Sequence, residues 1–255
     1  MQSIAPAAGV VPARAHAHAA AASMVNAFDY VNQTPVPISA HALSSTKDAV
    51  LRTAVTNASR VMTFLHDTFG RNGVDGHGQK LDVVVHVTQP EDWGLGMPDT
   101  GGDDARGAAH GLRRGATAEV PMNNAFWDSE SAKMYLGDGD GAMFTPLGGS
   151  VDIIAHETGH AVLDSEVKMS FDPTESPTAP QQGALHESFG DVLGALIEGD
   201  WQIGEDTFTP GTPGDAIRDL SKPEQFTDMR EVGSETEPHL LADIPNLAAY
   251  RAAQA

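Results

Sequence analysis

Apolar residues along this chain follow two periods. Between Thr46 and Phe69, Val50, Ala54, Val61 and Leu65 recur at helical spacing, which predicts a helix. Leu81-Asp82-Val83-Val84-Val85-His86-Val87 is a short run rich in valine and reads as a strand. Gly70 to Gly76 and Gly137 to Gly141 are turns, the latter a Gly-Asp-Gly-Asp-Gly run without the rest of an EF-hand. A second helix is predicted from Val151, with Ser150 as its cap and Val151, Ile153, Ile154, Ala155, Ala161 and Val162 as apolar surface. Gly183 to Leu196 predicts a third, with Leu185, Phe189, Val192, Leu193 and Leu196 pointing into a core. Residues 1–43 differ, because alanine and proline dominate, as in Thr34-Pro35-Val36-Pro37, and periodicity is weak. They read as a flexible N-terminal extension.

The two later helices carry the candidate chemistry. His156-Glu157-Thr158-Gly159-His160 is an HExxH run. Positions four apart share a helix face, so the two imidazoles can close on one Zn²⁺, with the Glu157 carboxylate beside them as a proton acceptor. A zinc held by two histidines needs a third protein ligand and one open position. Glu187 and Asp191 are four apart on an otherwise apolar helix, where two acids are costly to bury without a cation. Glu187 as ligand and Asp191 as the acceptor orienting a zinc histidine relieve both charges. The alternatives are a core helix with two hydrogen-bonded histidines, and an acidic solvent face.

HExxH followed by Gly183-Ala184-Leu185-His186-Glu187-Ser188-Phe189-Gly190-Asp191 resembles the thermolysin family of zinc endopeptidases, whose third ligand is a glutamate. Further segments match in the same order: Asn123-Asn124-Ala125-Phe126-Trp127, Tyr135 to Gly141, Asp200 to Asp206 and Gly214 to Arg218. The resemblance runs from about residue 45 to the end. It implies a two-lobed α+β fold with the zinc site in the cleft. A β-rich lobe would span 44–150 and a helical zinc-binding lobe 151–255. Family members continue through several more helices, so the resemblance makes this helical lobe incomplete: a fragment, or a lobe closed by a separate chain.

Residue by residue, the resemblance implies His156, His160 and Glu187 as ligands of one catalytic zinc, Glu157 as general base and Asp191 behind a ligand histidine. His239, in Pro238 to Tyr250, corresponds to the histidine that donates to the tetrahedral oxyanion. Asn124 and Ala125 correspond to an edge strand that binds extended substrate, Arg218 to an arginine holding a substrate carbonyl. Phe144, Leu147, Ile153, Ile203 and Ile217 correspond to the pocket for the residue after the scissile bond, which favours a bulky hydrophobic side chain. Core packing and a salt bridge to a nearby acid are the plainer readings of these apolar positions and of Arg218. Asp152, Glu198, Asp200 and Glu205 correspond to acidic calcium ligands, and Gln202, a glutamate in two-ion members, favours one structural calcium. Two positions depart from the family: Phe171 falls where it has a tyrosine oxyanion donor, and Ser234 where an aspartate steadies the histidine.

Composition narrows the field further. A net charge of −20 argues against nucleic acid or anionic membranes as partners and for divalent cations. The chain has no cysteine, so no disulfide framework exists. No run approaches the roughly eighteen apolar residues of a membrane span. The family is secreted, although no signal peptide is recognisable here. The expected function is zinc-dependent cleavage of internal peptide bonds in peptide or protein substrates. Two rivals remain: a zinc- and calcium-binding scaffold module with little catalysis, suggested by Phe171 and Ser234, and an aminopeptidase.

Overall fold

The structure, a computed structural model, describes residues 24–90, 119–169, 176, 178–223, 225–228, 230 and 238–255. Its central strand is β3, Leu81–Pro90, in which Val83, Val84, Val85 and Val87 are all buried. A strand covered on both faces needs no polar alternation, which is why this run reads as continuously apolar. β1 (Val25–Val31) and β6 (Lys133–Gly137) flank it in parallel, and β2 (Thr34–Ile38) and β5 (Ala125–Asp128) close the sheet as antiparallel outer strands in the order β2-β1-β3-β6-β5. β4 (Glu119–Pro121) pairs with the end of β3.

The first two strands correct the expectation for residues 1–43. Residues 24–43 are part of the fold: β1 lies inside the sheet with Val25 and Ala27 buried, and a short helix α1, Ala40–Ser45, follows β2. Pro35 and Pro37 masked the signal. Both sit on β2, an outer strand paired on one side, where proline's missing N–H removes fewer ladder bonds than in a central strand. The connecting turn places Asn32 and Gln33 both at positive φ, the backbone of a tight hairpin.

Helix α2, Ala49–Phe69, covers one sheet face. It starts three residues later than its apolar spacing suggests, because Asp48 caps it by accepting from Leu51 N–H. Its buried stripe runs through Leu51, Ala54, Val55, Ala58, Val61, Met62 and Leu65, one residue displaced from the expected Val50 at its start. Gly70 ends it in the left-handed conformation. Asn57 on this helix donates 3.0 Å bonds to the carbonyls of Gly148 and Gly149, fixing the entry to α3, Val151–Glu166. α3 is buried on nearly every side from Val151 to Gly159, as befits a core helix.

α4, Ala179–Glu198, packs against α3, and α5, Pro238–Ala253, packs against α4. Glycine permits the close approach of α3 and α4: a Cβ on Gly190 would lie 2.8 Å from His156 Nδ1, and one on Gly159 2.9 Å from Gly190 Cα. The outward face of α4 differs from expectation. Leu193 is buried and Val192 half-buried, but Leu185, Phe189 and Leu196 are 55%, 39% and 51% exposed. Leu185 and Leu196 are more than half exposed, while the Phe189 ring lies against Gly159 of α3, where an added Cβ would meet its Cδ1 at 3.3 Å. Two short strands, β7 (Gln202–Ile203) and β8 (Arg218–Asp219), pair beyond α4. No helix among the described residues is long and apolar enough to cross a membrane.

Candidate metal centre

Helical spacing on α3 sets the rings of His156 and His160 edge to face, centroids 4.5 Å apart. α4 delivers Glu187 opposite them. Glu187 Oε2 lies 3.1 Å from His156 Nε2 and 3.6 Å from His160 Nε2, and one donor atom from each of the three side chains falls within 4.8 Å of the others. Two imidazoles and a carboxylate converging at this range match the donor set of a three-ligand zinc site. The expected ligand trio is therefore brought together, and it can hold a metal ion.

Asp191, one turn beyond Glu187 and fully buried, receives His156 Nδ1 at 2.9 Å. It is gripped from the other side by Arg218, through Nε at 2.9 and 3.1 Å and Nη2 at 2.8 Å, and by Asn246 Nδ2 at 2.8 Å. Burial alone would raise the Asp191 carboxyl. Arg218 and His156 outweigh it and hold the group far below the carboxylate range. Asp191 thus stands behind His156 Nδ1, and Arg218 forms a salt bridge with the same carboxylate. Asn246, on α5, was not singled out as a site residue in the sequence; its only signal was the matched asparagine spacing after His239.

Glu157 is 7% exposed and its Oε2 accepts from Trp127 N–H at 2.8 Å, across from β5. Burial is the main cause that pushes its pKa up to about 7, with Glu187 adding repulsion and His156 opposing. His160 goes the other way: burial takes it well below its ordinary value. Glu187 stays well below the usual carboxylate range despite burial, because His160, His239 and His156 surround it. His239 Nε2 is 2.8 Å from Glu187 Oε2, so α5 carries the third histidine into the same cluster. Phe171 and Ser234 lie outside the described residues.

The proposed substrate positions are distributed unevenly. Asn124 and Ala125 enter β5, the outer strand beside α3; Asn124 Oδ1 accepts from Ala125 N–H at 2.9 Å, and its carbonyl from Gly137 N–H at 3.0 Å. Phe144, Leu147 and Ile153 belong to the main core, with Ile217 packed against it, while Ile203 is buried in a separate small cluster with Ala195 and Leu220. Ile217 N–H donates to the Ile203 carbonyl at 2.8 Å, so these two at least are neighbours.

A second acidic group lies one turn nearer the N-terminus of α3, around Asp152. Asp152, Glu198 and Glu205 bring carboxylate oxygens within 4.8 Å of one another, and Glu198 Oε2 and Glu205 Oε2 are buried without hydrogen-bond partners. Burial first, then the neighbouring acids, raise Glu198 to about 8 and Glu205 to about 7. Asp200 is not in this trio: it is exposed and its Oδ1 caps Gln202 N–H. Asp206, not singled out in the sequence, adds its charge to all three.

Comparison with known proteins agrees with this geometry. Residues 21–164 match the family model for the thermolysin metallopeptidase catalytic domain, and residues 179–255 that for its alpha-helical domain. Bacillolysin of Brevibacillus brevis is 34% identical over 185 residues, 69% of this chain and 33% of that protein. Neutral protease B of Bacillus subtilis (strain 168) is 32% identical over 209 residues, 78% of this chain and 31% of that protein. The chain therefore spans about a third of the length of these relatives. The fold is shared with the precursor of protealysin, a metalloproteinase from Serratia proteamaculans, at a TM-score of 0.66 and 24% identity, covering 90% of this chain and 68% of that one. This chain is a member of the thermolysin metallopeptidase family.

Proposed function

We propose that the chain carries the catalytic site of a zinc endopeptidase, cutting internal bonds of peptides or proteins on the amino side of bulky hydrophobic residues. One observation carries the reading most: Glu157, a buried carboxylate next to the His156–His160–Glu187 trio, has one oxygen held by Trp127 and the other left for a proton. Zinc, when bound by His156, His160 and Glu187, supplies Lewis acidity that makes water a nucleophile near neutral pH and polarises the scissile carbonyl. Glu157 takes the proton from the attacking water through its other oxygen and returns it to the leaving amine.

The Nε2 of His239 faces the same centre and donates to the developing oxyanion. Asn124 and Ala125 on β5 take an extended substrate as an added strand, a mode tolerant of sequence. Arg218 uses Nε and Nη2 on Asp191, leaving Nη1 to hold a substrate carbonyl. Phe144, Leu147, Ile153, Ile203 and Ile217 form the wall of the specificity pocket. One calcium ion held by Asp152, Glu198 and Glu205, with the shell of Asp200 and Asp206 nearby, relieves the unpartnered oxygens there. Leu185 and Leu196, both more than half exposed on α4, form the face on which a separate chain completes the helical lobe.

The test is metal analysis alongside cleavage of an unfolded protein such as casein. Wild type should hold about one zinc and cleave before Leu, Ile or Phe. Glu157→Gln should keep the zinc and lose turnover, while Glu187→Ala should lose most of the zinc. A zinc-replete wild type that cleaves nothing would overturn the reading.

A further inference from the structure

The two ligand histidines on α3 are held in different ways. His156 has Asp191 behind its Nδ1 at 2.9 Å. His160 Nδ1 is buried with no hydrogen-bond partner among the described residues, so no carboxylate or carbonyl there fixes its ring. A metal-binding imidazole needs its plane and tautomer set from behind, and that orientation ordinarily comes from a second polar group.

The ring of His186 packs instead on the face of His160. It is 8% exposed and lies flat on His160, with centroids 4.4 Å apart and planes 6° from parallel. Parallel stacking at this distance blocks tilting of the His160 ring towards α4. Beside His186, Asp164 Oδ1 lies 3.5 Å from its Nε2, within reach of an ion pair when His186 is protonated, and Asp164 Oδ2 accepts from Trp127 Nε1 at 2.8 Å. Asp164 stands one turn beyond His160 on α3, so the same helix supplies both the ligand and the carboxylate beside the ring that stacks on it. Trp127 is held at both ends by this helix, its backbone N–H by Glu157 and its indole by Asp164.

We propose that His186 is the positioning residue of His160: it sets the plane of that ligand by stacking, with Asp164 beside it. The inference rests on the reading of His160 as a metal ligand. It assigns to the residue immediately before Glu187 a role that the ligand pattern itself does not contain.

The experiment compares wild type, His186→Ala and His186→Phe, the last keeping a flat ring over His160. Three quantities are read: the zinc dissociation constant by chelator competition, the visible spectrum of the cobalt-substituted protein, and the melting temperature of the metal-free protein. His186→Ala should weaken zinc binding by about 10–100-fold and shift the cobalt bands, the size expected for losing a group that orients a ligand. His186→Phe should recover most of the affinity and a wild-type-like cobalt spectrum. A His186→Ala protein with unchanged zinc affinity and cobalt spectrum, whatever its melting temperature, would overturn the proposal and leave His186 a packing residue. Loss of affinity that His186→Phe does not restore would also overturn it, since stacking would not be what positions His160. A wild-type chain that binds no zinc would instead overturn the metal centre, and this inference with it.

Discussion

Asp191→Ala should be among the most damaging single changes outside the ligands themselves. The carboxylate receives five hydrogen bonds: three from Arg218, one from His156 Nδ1 and one from Asn246 Nδ2, all at 2.8–3.1 Å. Removing it leaves the Arg218 guanidinium, whose side chain is 16% exposed, without its counter-charge. Breaking a buried pair from one side costs about 3–5 kcal/mol, because the remaining charge stays desolvated. For a chain of this size that corresponds to a fall of roughly 10 °C in melting temperature. The same change frees the His156 ring, which should weaken zinc binding by about 10–100-fold. Denaturant unfolding of the metal-free protein reads the first effect, chelator competition the second. Arg218→Met in the Asp191→Ala background should restore part of the stability, since the unpaired charge is then gone, but not the zinc affinity. An Asp191→Ala protein that unfolds at the wild-type midpoint, or a double variant no more stable than the single one, would refute the reasoning.

Metal-free protein should lose stability as pH rises from about 5 to 8, because Glu198 and Glu205, raised by burial to about 8 and about 7, are protonated in the fold and ionise beside Asp152 over that range. Saturating calcium should flatten most of that slope in a series of thermal melts; an identical slope with and without calcium would count against a calcium site. A smaller slope of the same sign should persist with calcium, carried by the raised carboxyl of Glu157 and by His86, and should shrink in His86→Asn. His86 lies 2.8 Å from Asp48 and 2.7 Å from Asp138, which outweigh burial and raise its pKa, so its contribution is present at low pH and lost as pH climbs through that raised value. Gly204→Ala should destabilise by roughly 1–3 kcal/mol, since Gly204 has φ +81° and a Cβ there would lie 2.4 Å from Ile217 Cδ1; denaturant midpoints measure it. Leu185→Gln and Leu196→Gln should each change stability by only about 0.5 kcal/mol or less, as both are more than half exposed, and a loss of several times that would contradict their exposure.

The cluster of His156, His160, Glu187 and Glu157 was legible in the chain because helical spacing turns HExxH and GALHESFGD into two faces of fixed chemistry. Once two acids stand on an apolar helix, a cation or a basic partner is required, and Asp191 has both a histidine and an arginine. The same local logic located α2, β3 and the turn after α2. It failed where the outcome depends on what lies across from an element. The Pro-rich segment 34–37 became an outer strand only because β1 offers it one side to pair with. Leu185, Phe189 and Leu196 have core spacing, yet whether they are covered depends on which elements pack on α4; the Phe189 ring meets Gly159 of α3, while Leu185 and Leu196 stay more than half exposed.

Partnership between distant residues was likewise invisible from spacing. Trp127 meets Glu157 and Asp164, and His186 stacks on His160, because the sheet edge and α4 are folded against α3. Asp200 matched an acidic pattern yet turns to cap its own loop, while Asp206, at the end of the same matched segment, supplies charge to the cluster without having been read as a ligand. Periodicity and motif chemistry along the chain fix which residue types can bind a metal, since that depends on side chains a turn apart. Which of them share an orienting partner, and which apolar faces stay open, depends on contacts between elements tens of residues apart, and only the packed fold decides those.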